Sequence, residues 1–75
     1  MNKLSKELDG ALLIKHDKKN GLTLAWFGGF YILAYNDKGV NVSCWYMGGT
    51  VDTQKAVLTD AEKSMDTHIK DQYYP

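Results

Sequence analysis

Seventy-five residues make one small domain spanning residues 1–75, and a chain this short buries only roughly 60% of the surface its unfolded form exposes. Nine lysines balance nine carboxylates and there is no arginine, so no global field steers the chain to an anionic membrane, and the planar fork that reads phosphates and guanine edges is missing. The single cysteine, Cys44, excludes an intramolecular disulfide, and His16, Cys44 and His68 lack paired metal-ligand spacing, which leaves oligomerisation or a partner as the support that small folds lean on.

Met1 to Asp9 places Leu4 and Leu8 four residues apart among charged side chains, which fits a short amphipathic helix ended by Gly10, or a frayed terminus. The apolar run Ala11 to Ile14 is too short for a signal-peptide core, and the longest uncharged stretch, Asn20 to Asn36, is too short for a membrane span. A cytoplasmic location is the default expectation, with no membrane association. Ala11 to His16 reads as a first strand, followed by Asp17-Lys18-Lys19-Asn20-Gly21 as a turn. The lysines around Asp17 read as a solvated loop.

Leu22 to Phe27 and Phe30 to Asn36 are rich in β-formers and meet at Gly28-Gly29, a composition suited to a two-residue hairpin turn. Asp37-Lys38-Gly39 then joins Phe30 to Asn36 with Val40 to Met47, as a type I turn closed by a left-handed glycine. These loop lengths pair Phe27 with Phe30 and Asn36 with Val40. One face then carries Thr23, Ala25, Phe27, Phe30, Ile32, Ala34, Asn36, Val40, Val42, Cys44 and Tyr46; the other carries Leu22, Leu24, Trp26, Tyr31, Leu33, Tyr35, Asn41, Ser43, Trp45 and Met47. Both are largely apolar, so both are expected to be covered at least in part.

After Gly48-Gly49 the period changes to 3.6. Val51 and Asp52 fit a hydrophobic staple and an N-cap, and Ala56, Val57, Leu58, Ala61, Met65 and Ile69 recur at helical spacing, with Tyr73 next in line. The small residues Ala25, Ala34 and Cys44 suggest the face on which this helix docks. The expected fold is therefore α+β: a three- to four-stranded antiparallel meander against a long C-terminal helix.

In that register Trp26, Tyr31 and Trp45 form one row, with Tyr35 and Met47 on the same face. Such a row is either core or a binding surface for a protein, a sugar ring or an unpaired base. Base stacking needs a cationic groove, and the nearest cluster is Lys15, Lys18 and Lys19 around an acid, which argues against nucleic acid. Cys44 alternates with Val42 and Tyr46 on the presumed helix side, where a buried thiol is inert packing rather than a nucleophile paired with His16 or His68. Asp60, Glu62 and Asp66 read as a solvated helix face, and the paired glycines lack the spacing of a phosphate loop.

The residues thus predict no catalytic group, metal or cofactor. The expected function is that of a non-enzymatic protein-binding module using Trp26, Tyr31, Tyr35, Trp45 and Met47, as a homodimer or on a host protein. Small accessory proteins and inhibitors of phage or mobile elements are the matching type. The alternative is a carbohydrate- or single-stranded nucleic-acid-binding module on the same aromatic face.

Overall fold

The computed structural model describes residues 3–46, 54–72 and 74, with only the backbone described for residues 54–57. The fold is α+β, in the order α1 (Lys3–Glu7), β1 (Leu13–Asp17), β2 (Leu22–Trp26), β3 (Tyr31–Tyr35), β4 (Asn41–Tyr46) and α2 (Gln54–Asp71). The four strands form one antiparallel sheet in sequential order, so β1 and β4 are its edges. Among the described residues, no helix is long and apolar enough to cross a membrane. Asp52, Val51, Met47 and Tyr73 lie outside the described residues, as do the side chains of Ala56 and Val57.

Local chemistry accounts for the elements. Gly10, at φ 86°, leads the chain out of α1, and Gly21, at φ 67°, serves the turn between β1 and β2. Between β3 and β4, Gly39 donates its N–H to the Asn36 carbonyl at 3.0 Å, and Asn36 donates to the Val40 carbonyl at 3.0 Å. The Asn36 side chain accepts from the amides of Lys38 and Val40 at 2.9 and 3.0 Å, a local bond that favours this turn over continued strand. The expected turn is present, with Tyr35 opposite Asn41.

The strand register differs from the sequence expectation in two places, each by one residue. At the first hairpin Trp26 pairs with Ile32 rather than Tyr31. Gly28 is at φ 96° while Gly29 is outside the positive-φ region, and the Trp26 indole N–H donates to the Gly29 carbonyl at 2.7 Å. That bond gives a nearly buried indole its acceptor and goes with a loop one residue longer than the tight turn predicted from Gly-Gly. At the second hairpin an irregularity beside Ala34 and Tyr35 shifts the pairing after Asn41, so Ala34 faces Ser43 and Ile32 faces Trp45. The Asn41 amide donates to the carbonyls of Ala34 and Ser43 at 3.2 and 3.1 Å, satisfying acceptors where the ladder is broken.

A one-residue slip exchanges the faces of a strand, and the two slips together turn β3 over between its neighbours. Ile32 and Ala34 join Leu24, Trp26 and Trp45 on the face beneath α2, where Ala61 and Met65 are also fully buried. Leu13, Ile69 and Tyr74 border this core. Full burial of each large member contributes roughly 1.5–3 kcal/mol. The helix therefore docks on the tryptophan face, with Ala34 beneath it as expected. Ala25 and Cys44 are on the opposite face, correcting the expected docking side.

Helix α1 approaches one end of the opposite face. Gly39 is buried, and a Cβ placed on it meets the Leu4 nitrogen at 2.5 Å and the Lys3 carbonyl carbon at 2.7 Å. This close approach seats α1 over the end of the sheet where Thr23 and Tyr35 are buried. Thr23 also bonds His16 across the strands, Oγ1 to Nδ1, at 3.2 Å.

Candidate interaction surface

Pairing sorts the residues of the face opposite α2 into rows. Ile14, Ala25, Leu33 and Cys44 form one row. In the next, toward the Gly28 loop, Tyr31 pairs with Tyr46, their rings edge-on with centroids 5.6 Å apart, and Phe30 lies 6.2 Å from Tyr46. Leu12 approaches the same loop, with Cδ1 3.3 Å from where a Gly28 Cβ would sit, and its N–H donates to the Trp26 carbonyl at 2.8 Å.

In the first row Ala25 is fully buried and Leu33 half-buried, while the side chains around them are open. Tyr46 is 59% exposed, Tyr31 56%, Leu12 50%, Phe30 44% and Ile14 39%. Cys44 is also exposed. None of these residues carries a formal charge at neutral pH. Scattered exposed apolar residues are ordinary, but an exposed cluster of touching aromatic rings on one sheet face, here Phe30, Tyr31 and Tyr46, is the usual form of an interaction surface.

The residues expected to form the aromatic row are divided between the two faces. Trp26 and Trp45 are 1% and 7% exposed beneath α2, so they are core and not a surface. Tyr31 lies on the open face. Tyr35 shares that face but is buried beside α1; burial and the nearby Glu7 charge, in that order, raise its phenol pKa. Met47 lies outside the described residues. Tyr46 and Cys44, expected beneath the helix, are instead open. Among the described residues of the expected row, only Tyr31 contributes to the exposed surface, joined by Tyr46, Phe30, Leu12 and Ile14. Phe30 and Tyr46 were missed because the helix was expected on their face and docks on the other, while Leu12 and Ile14 were not assigned to a face by the sequence.

On the helix side, polar groups tie α2 and the residues after it to the sheet. The Trp45 indole N–H donates to Ser64 Oγ at 2.9 Å. His68 stacks on Trp45 at 3.9 Å between centroids and 17° between planes, and its Nδ1 lies 2.9 Å from the Ser64 carbonyl. A carbonyl only accepts, so this nitrogen carries the proton. Tyr74 completes the cluster, edge-on to Trp45 at 6.1 Å.

Asp17 corrects the reading of its segment as a solvated loop. It is 2% exposed. Its carboxylate accepts from the Tyr74 hydroxyl, from Asn20 Nδ2 at 2.8 Å and from the amides of Lys19 and Asn20 at 3.1 and 3.3 Å. Asn20 Nδ2 also donates to Gln72 Oε1 at 2.6 Å. Burial pushes the carboxyl pKa up, but the bonds from Tyr74, Asn20 and the amides outweigh it and leave the group below its ordinary value. The clue in the sequence was an Asp opening a turn, where the side chain commonly accepts from amides two and three residues on.

Lys15 is likewise engaged, with Nζ 2.7 Å from Asp66 and 3.4 Å from Glu62 on α2. The Asp66 hydrogen bond is the main cause of its raised pKa. Among the described residues no three histidine, cysteine or acidic side chains gather as a metal-ligand set. No family model, curated protein or solved structure matches the chain.

Proposed function

We propose that this chain is a non-enzymatic protein-binding module whose contact surface is the open sheet face around Tyr31 and Tyr46. The observation that supports this reading is an exposed, uncharged aromatic group of Phe30, Tyr31 and Tyr46 that shares with Leu12 and Ile14 the face that α2 leaves free. Tyrosine suits such a role because it presents a large, stiff contact area with a polar tip. The tryptophans have no part in it, because they hold the helix to the sheet.

The carbohydrate and nucleic-acid readings are weakened by the same geometry. They relied on stacking against Trp26 and Trp45, both now beneath α2, and Lys15 of the expected cationic cluster is paired with acids on the helix side. A reducing cytoplasm is the compartment that suits an exposed thiol at Cys44.

The test compares the full chain with a Tyr31→Ser, Tyr46→Ser double variant, each immobilised and offered cell extract, with self-association measured in parallel. Protein binding or self-association that disappears in the variant while the melting temperature stays unchanged is the expected result. Equal binding by both proteins refutes the assignment. A saturable tryptophan fluorescence response to an oligosaccharide or single-stranded DNA, without protein binding, transfers the surface to the rival reading.

A further inference from the structure

We infer that the occupant of the open face is a second copy of this chain, packed face to face about a two-fold axis. This deepens the proposed protein-binding function and rests on it. Leu12, Ile14, Phe30, Tyr31 and Tyr46 open on the order of 500 Å² of surface per copy, so two such patches, fully buried against each other, reach the roughly 1,000 Å² total at which a specific interface begins.

Charge is also compatible with self-packing. A two-fold axis sets a patch against its own image, so any net charge on it would be opposed by the same charge. The patch has none, and the whole chain carries equal numbers of lysines and carboxylates, which removes long-range repulsion between copies. A strongly charged partner would find no complementary group among these side chains.

The fold limits where the copies overlap. Thr23 and Tyr35 are buried at the α1 end, so the exposed side chains of Tyr31 and Tyr46, with Ile14 and Cys44 at the two ends of the row through Leu33, meet their counterparts, with the sheets about 10 Å apart. Cys44 therefore becomes enclosed when the copies pack. Pairing of two β4 edges would instead leave that face, and Cys44, open.

The experiment measures the mass of the full chain in solution from micromolar to millimolar concentration, together with the rate at which a bulky maleimide alkylates Cys44. The expected result is twice the monomer mass for the wild type and monomer mass for Tyr46→Lys, with unchanged circular dichroism and melting temperature. Alkylation of the wild type slows several-fold as the dimer forms, and that of Tyr46→Lys does not. A wild type that stays monomeric overturns the inference, as does a dimer whose Cys44 reacts at the monomer rate. If the monomer still binds another protein through Tyr31 and Tyr46, self-packing fails while the wider protein-binding reading stands; if that binding is absent too, both fail.

Discussion

The Tyr74 hydroxyl donates to the buried carboxylate of Asp17, so a residue beyond the end of α2 is tied to the turn between β1 and β2. The bond joins positions 57 apart in sequence and gives a desolvated charge one of its four donors. Replacing Tyr74 with Phe removes that donor and keeps the ring beside Trp45. The expected cost is about 1.5–3 kcal/mol, the usual range for a hydrogen bond to a charged group, read from urea denaturation midpoints.

The same contact sets an acid dependence. A carboxyl whose folded pKa is depressed contributes stability that is complete above its unfolded pKa, about 3.9, and is lost as pH falls through the folded value. Wild-type melting temperature should therefore fall below about pH 4, and Tyr74→Phe should fall less over that window because its Asp17 shift is smaller. Equal slopes would show that the bond does not favour the charged carboxylate. Tyr74 itself is raised above the ordinary phenol range by burial and by Asp17. Its contribution is present below about pH 10 and is lost as pH rises further, which Tyr74→Phe removes.

Gly39 and Gly21 both have positive φ, at 79° and 67°, but only Gly39 has neighbours where a Cβ would sit. Gly21→Ala should cost roughly the 1–2 kcal/mol of a left-handed L-residue. Gly39→Ala meets the backbone of Lys3 and Leu4 as well, and should cost more while releasing α1 from the sheet. Guanidinium denaturation measures the difference, and hydrogen exchange at Thr23 and Tyr35 should speed up only in the Gly39 variant.

Trp45 and Tyr46 are adjacent in sequence and opposite in environment, at 7% and 59% exposed. Trp45→Ala should cost about 3–5 kcal/mol, through a cavity beneath α2 and the loss of the Ser64 bond. Tyr46→Ser should change the stability of the monomer by only about 0.5 kcal/mol. Reversed magnitudes would contradict the face assignment.

Lys15 joins β1 to α2 through Asp66 and Glu62, whose side chains are more than half exposed. Lys15→Gln should lower the melting temperature slightly in dilute buffer and leave it equal to wild type at high salt, where the pairs are screened. A salt-independent loss would mean that the aliphatic stem, rather than the charge, is what matters.

Much of the fold was legible from short-range patterns. The period of 3.6 after Gly49 placed α2, with Ala61 and Met65 in the core, and Asn36 to Gly39 folded into the turn their chemistry suggested. The candidate surface was much less legible. Trp26 and Trp45 do share a row, but through Ile32, because β3 is turned over between them. Tyr31 reached the predicted kind of surface while both tryptophans left it. Asp17 was hidden for a related reason: Tyr74 lies at the other end of the chain.

The amino-acid sequence by itself determined which segments become strands and helices and in what order, because alternation, helical period and turn residues act within a few positions. Only the tertiary structure decided which face each strand presents. A loop one residue longer and a shifted pairing in β4 invert β3, and the packing of Trp26, Ile32 and Trp45 beneath α2 favours that arrangement. The acceptors that accommodate the indole N–H groups, the Gly29 carbonyl and Ser64 Oγ, come from the hairpin loop and from the helix. The open face with Tyr31 and Tyr46 is the counterpart of that choice: what the core takes from one side of the sheet, the other side presents.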